Sequence, residues 1–238
     1  MSKEYSKSLL NEIRKIADEF SDQMSKQPEN LDHYSPDHKK EVVAEYKNQT
    51  REKALKQLDT KLAKVNLQTK DVLGDINKAK FPLLNASTET EKLRGEQSLT
   101  NVMLILQTNF STGNSEGILN AIELAMQSKR YDFVTALIEQ IDTLPAKDDV
   151  QMKIKEEVSK IAEGYFKERG VTTLNEELNL LQYANEVTQL SAKSINGNNE
   201  HIYIPDFPVN DFHEQMLLEN LRSDAGVNES NSSAEASE

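Results

Sequence analysis

The chain has 238 residues, with 28 Lys and Arg against 40 Asp and Glu, a formal net charge of -12 and 37% apolar residues. There is no Cys and no Trp, and only 8 Gly and 6 Pro, which excludes disulfides, thiolate metal sites and a Cys nucleophile and argues against a many-turned β fold. No stretch approaches the roughly 18 consecutive apolar residues of a membrane span, and the opening MSKEYSKSLL lacks a signal-peptide core, so a soluble, helix-rich protein of the cell interior is expected.

From Lys3 to Lys26, Leu9, Leu10, Ile13, Ile16, Ala17, Phe20 and Met24 recur at three- and four-residue steps, the stripe of an amphipathic helix. Glu12, Arg14, Lys15, Asp18 and Asp22 occupy its other faces, and Gln27-Pro28 ends it because Pro disfavours helical geometry in the residue before it. Ser35-Pro36-Asp37 is a helix start, with a capping residue, a Pro at the first helical position and an acid at the positive end of the dipole. The pattern that follows runs to Lys80. In it Leu58, Leu62, Val65, Thr69, Val72, Ile76 and Ala79 alternate steps of four and three, the 3.5-residue period of a coiled-coil seam. Gln49 and Arg51 blur the apolar side upstream, which predicts a helix of up to 45 residues, either whole or broken near Asn48. Such a helix needs a partner for its stripe, in the same chain or in a second copy.

Phe81-Pro82 stops this helix, and Thr88-Glu89-Thr90-Glu91 is a capping box for the next. The run Val102 to Leu106 is apolar on nearly every face, which places it at the centre of a core. After the break at Thr112-Gly113-Asn114-Ser115, Ile118 to Met126 and Phe133 to Ile141 read as two short helices turning at Ser128 to Asp132. A helix over about Asp148 to Arg169 closes at Gly170, and Thr173-Leu174-Asn175-Glu176 reads as the cap of a last long helix reaching Ser194. Beyond the loop Asn196 to Asn199, the segment His201 to Pro208 is apolar, holds two prolines and has no helical period, so it is expected extended. A short helix from Asp211 to Arg222 is expected next. Ser223 to Glu238 has four acids, no basic residue and mostly small polar side chains, the composition of a disordered tail.

The fold class expected is therefore all-α. An elongated N-terminal helical hairpin or coiled coil covers 1–81, a helical-bundle body with an extended arm near 201–210 covers 88–222, and a disordered acidic tail covers 223–238. Chemistry is harder to find. Asp32, His33, Asp37 and His38 lie within seven residues, but no Cys and no third His supports a metal site. His201 and His213 have no recognisable base or nucleophile beside them. No phosphate-cradling Gly loop or hydrolase motif is present. No enzyme activity, cofactor or metal is expected.

Charge is more informative. From Pro36 to Lys80 eleven Lys and Arg face seven acids, making a basic helix in an acidic chain. Lys47, Arg51, Lys53, Lys56, Lys61 and Lys64 are the candidate contacts for DNA phosphates or an acidic protein surface; the same residues also fit a solvated face paired with Glu three or four positions away. The arm offers Ile202, Tyr203, Ile204 and Phe207, which fit docking onto a partner or wrapping of the chain's own core.

The opening SKEYSKSLLNEIRKIADEFSDQMSK, the long helix SPDHKKEVVAEYKNQTREKALKQLDTKLAKV and the Asn/Ser/Glu tail resemble, in style and across most of the length, the small helical head-associated proteins of tailed phages infecting Gram-positive bacteria. The resemblance implies a non-enzymatic minor head or internal protein, packaged in the capsid, delivered with the genome, and binding or protecting double-stranded DNA. Its partners would be capsid or portal proteins, and its location the virion interior or the host cytoplasm; separately, the 58–79 heptad period allows self-association if the seam closes between chains. A scaffolding protein is the neighbouring reading, although such proteins end in a basic helical segment and this chain has no basic residue after Arg222. A cytosolic helical adaptor or regulator is the reading from a different class.

Overall fold

The computed structural model describes residues 3–202 and Ile204. Those residues are all-α. In chain order the helices are α1 (Lys3–Ser25), α2 (Pro36–Lys80), α3 (Glu89–Ile105), α4 (Ser115–Gln127), α5 (Tyr131–Thr143), α6 (Asp149–Glu168) and α7 (Val171–Asn196). A 3-10 turn at Leu31–His33 precedes α2, and a π-helical turn at Leu106–Phe110 extends α3. The helix starts follow local chemistry. Thr88 Oγ1 accepts from the Glu91 N–H at 3.3 Å, Asn114 Oδ1 from the Gly117 N–H at 3.1 Å, and Asp148 Oδ1 from the Gln151 N–H at 2.8 Å, each satisfying an orphan donor of a first turn.

By packing, the chain divides into two units, Met1–Lys70 with Glu177–Glu238, and Asp71–Glu176. The boundaries fall inside α2 and α7 and not at the Phe81 to Thr88 connection. Prolines and caps mark where helices end, whereas burial decides which helices share a core, and the two need not coincide.

In the first unit, α1 buries its whole expected stripe: Leu9, Leu10, Ile13, Ile16, Ala17, Phe20 and Met24 are all buried. α2 contributes Ala54, Leu58 and Val65, and α7 contributes Leu180, Leu181, Tyr183, Ala184, Val187 and Ile195. Cross-links set the directions. Lys61 pairs with Glu12, while Ser6 and Gln68 meet on the Glu177 carboxylate, so α1 runs antiparallel to α2. Glu177 lies beside Gln68 and Glu200 beside Lys47, so α7 also runs antiparallel to α2. The antiparallel α1–α2 pair is joined by α7, giving a three-helix arrangement.

The second unit is organised on α5, which has Phe133, Val134, Ala136, Leu137, Ile138 and Ile141 buried. They form one cluster with Val102, Leu106 and Phe110, with Ile118 and Ile122 of α4, and with Ile154, Val158 and Tyr165 of α6. Arg169 binds the end of α2. Its Nε donates to the Ala79 carbonyl at 2.8 Å and its guanidinium stacks 4.2 Å from the Tyr131 ring, a cation satisfying a helix C-terminal carbonyl.

α2 is one unbroken helix of 45 residues through Asn48, since polar side chains do not interrupt backbone hydrogen bonding. In the 58–79 stripe Leu58, Val65, Val72 and Ile76 are buried within this chain. Two expectations need correction. Within Val102 to Leu106, only Val102 and Leu106 are buried, whereas Met103 and Leu104 are exposed, because one helix presents only one face to one core. Thr173 is not a cap. α7 begins at Val171, straight after Gly170, whose φ of 72° turns the chain from α6 within two residues. Tyr203, Phe207, His213, the Asp211 to Arg222 helix and the 223–238 tail lie outside the described residues.

Candidate interaction surfaces

The six basic candidates of α2 fall into two groups, separated by the turn of the helix. Lys47 and Lys61 face inward along the bundle and are held in ion pairs with Glu200 and Glu12. These ammonium groups act on their partners. The hydrogen bond from Lys61 holds the Glu12 carboxyl below its ordinary value against the opposing effect of burial, and Lys47 does the same for Glu200. Arg51 is half-buried and donates from Nη1 to Asn48 Oδ1 at 3.3 Å. Lys53, Lys56 and Lys64 are exposed, and among the described residues none has an ion-pair partner. They are spread over about 16 Å of helix at 1.5 Å per residue; Lys53 shares a cleft with Glu19 of α1, and Lys64 acts electrostatically on Glu12. Pairing with Glu three or four positions away, the other reading of these lysines, does not occur at these three. The arrangement can present three exposed cations to a polyanion, two of them near acids of α1.

The arm is engaged as far as it is described. The Ile202 N–H donates to Ser21 Oγ at 2.9 Å, and Ile202 and Ile204 are buried. Ile202 is thus fastened to α1, and both isoleucines are buried within this chain. A buried backbone N–H needs an acceptor, and Ser21 supplies it for Ile202.

The Asp/His segment does not gather. Asp32 pairs with Lys39 at 3.8 Å, His38 with Glu41 at 3.2 Å, and the Tyr34 and His38 rings meet edge to face at 4.8 Å. Among the described residues no group of three His, Asp or Glu could hold a metal ion.

A surface that sequence reasoning missed lies in the second unit. Leu104 and Ile105 at the end of α3, Ala121 and Leu124 of α4, and Phe133 of α5 line an open groove of about 360 Å³, near the low end of the ~300–1,000 Å³ typical of ligand clefts. Leu104 is 66% exposed and Leu124 63%. Arg130 stands at one side, its guanidinium 4.9 Å from the Phe133 ring and without an acidic partner among the described residues. The available signal was the surplus in Val102 to Leu106. Five consecutive apolar residues exceed what one helix face can bury, so the excess belongs to a second face.

No family model matches the chain, and neither the curated proteins nor the solved structures give a match. Among the described residues no helix is long and apolar enough to cross a membrane.

Proposed function

We propose that the chain is a non-enzymatic helical binding protein that acts as a minor head, internal protein of a tailed-phage virion and contacts double-stranded DNA through the outer face of α2. The observation that carries the reading is the row Lys53, Lys56 and Lys64. In a chain of net charge -12, these three exposed lysines, none in an ion pair among the described residues, can attract a polyanion. The resemblance of the long basic helix and the Asn/Ser/Glu tail to phage head-associated proteins supplies the biological setting, with capsid or portal proteins as further partners.

Titration of labelled double-stranded DNA at increasing salt tests it. Three phosphate contacts give a slope of about -3 in log affinity against log salt. Joint reversal of Lys53, Lys56 and Lys64 to Glu should remove binding. Lys61→Met should leave it almost unchanged, because that ammonium is already held by Glu12. Absence of binding at low salt would eliminate the DNA role.

The apolar groove supports a second reading, an assembly or adaptor protein that works by holding another polypeptide. Scaffolding belongs here, although the acidic end of the chain lacks the basic segment such proteins use to grip coat. Retention in mature particles favours the internal protein, presence only in precursor shells favours the scaffold, and presence in neither favours an adaptor.

A further inference from the structure

Apolar burial does not by itself fix where α1 lies along its neighbours. The stripe of α1 repeats at seven residues: Leu9 with Ile16, Ile13 with Phe20, and Leu10 with Ala17 and Met24, all of them buried. The helices beside it repeat in the same way, Leu58 with Val65 on α2 and Leu180 with Val187 on α7. Seven residues come within about 20° of two whole turns. A slide of α1 by seven, about 10.5 Å along its axis, therefore sets largely apolar side chains against apolar side chains again. Chain connections do not forbid the slide. α2 and α7 each continue into the second unit, whereas α1 connects to the other described helices through residues 26–35 alone. That segment can span about 33 Å when extended.

Polar contacts do discriminate between positions. Glu12 pairs with Lys61 at the surface, and Ser21 Oγ accepts the Ile202 N–H where both are part-buried. Both contacts can exchange a protein partner for water. The third cannot. Ser6 Oγ donates to Glu177 Oε1 at 3.0 Å, Gln68 Nε2 donates to the same oxygen at 3.4 Å, and all three residues are buried. Among the described residues no cation pairs with this carboxylate. A slide in one direction lays Ile13 against it in place of Ser6. A slide in the other carries the Ser6 hydroxyl to the place of Ile13, among apolar side chains. Either way a buried carboxylate loses a donor and keeps its desolvation cost.

We propose that Ser6, Glu177 and Gln68 form a register lock, which confines α1 to one of several positions spaced seven residues apart along α2 and α7. A polar group on an apolar seam sets register in this way at some cost in stability. With the lock removed, α1 slips by seven residues and populates a second position. The inference is independent of DNA binding, since none of Lys53, Lys56 and Lys64 takes part.

The chain has no Cys, so spin labels on introduced thiols report the position of α1 without background. Lys15→Cys on α1 and Lys40→Cys on α2 replace exposed side chains and lie far apart along the helix axis. Dipolar spectroscopy of this doubly labelled full-length chain should show one distance. Glu177→Leu and Ser6→Ala, each in that background, should add a second distance displaced by about 10 Å. Glu177→Gln, which keeps an acceptor for both donors, should retain the single distance. Far-UV circular dichroism verifies that each variant is folded, and if Glu177→Leu loses its helical signal, Ser6→Ala alone decides. The proposal is overturned if the folded variants keep one unshifted distance, if the native chain already shows two, or if Glu177→Gln slips as Glu177→Leu does.

Discussion

Asp132 is fully buried, and its carboxylate holds two backbone donors that are far away in sequence, the N–H groups of Leu83 and Leu84, each at 3.0 Å. It sits in the first turn of α5, where the helix dipole favours an anion. It thus fastens the α2–α3 connection to the central helix of its unit. Gly95 completes the fit, since a Cβ there would come within 3.0 Å of the Leu84 backbone nitrogen and 2.9 Å of its side chain. Asp132→Ala should cost about 2–3 kcal/mol, the range for hydrogen bonds to a charged group, and Asp132→Asn, which keeps one acceptor, about half as much. Urea unfolding reads this as a lower midpoint at constant slope. A negligible change in the Ala variant would mean that water replaces the carboxylate at both N–H groups. From sequence, Asp132 is legible only as a residue of the α4–α5 turn. Its partners lie 48 and 49 residues away, and no local pattern points across that interval. The same limit hid the contact of Glu177 with Ser6 and Gln68, which unites three helices on one buried carboxylate.

At the scale of the element, apolar period proved sufficient for one face and insufficient for its partner. The stripe of α1 was fully legible because seven apolar side chains recur on one side of an otherwise charged helix. The α2 stripe was equally legible as a face, but period alone says nothing of what covers it. Burial now separates its positions. Val65 has no exposed surface, whereas Leu62 is half-buried. Val65→Asp should therefore cost about 3 kcal/mol or more by placing an unpaired carboxylate in the core. Leu62→Asp, free to turn toward water, should cost clearly less. Melting curves followed by far-UV circular dichroism test the order, and equal losses at the two sites would contradict the inward orientation of Val65. α3 failed the same reasoning from the opposite side. Its excess of apolar residues was legible, but their assignment to one core was not possible for a single helix, and the surplus at Met103 and Leu104 became surface.

At the scale of the whole molecule, the interleaving of the two units was not legible. A linear reading divides a chain at its prolines and loops, and here Lys70 and Glu177, both inside helices, mark the change of core. What composition does predict is how the acidic chain responds to pH. Glu12 and Glu200 are held below their ordinary values by Lys61 and Lys47. As pH falls, the unfolded chain takes up these protons first, so each pair's contribution is complete above the ordinary carboxylate value and disappears as pH drops through the lowered one. Protonation also relieves the self-repulsion of a chain at -12, which acts in the opposite direction and masks the loss in the native protein alone. Lys61→Met separates the two effects, because it removes the pair and shifts net charge by only one. Its deficit should be no more than about 1 kcal/mol, since the Glu12 side chain is half exposed and salt screens the pair. The deficit should be greatest near neutral pH, vanish at the acid end and shrink in added salt, measured by urea unfolding of both proteins across the pH series. A deficit constant in pH and salt would assign the role of Lys61 to the packing of its aliphatic stem between α1 and α2 and not to its charge.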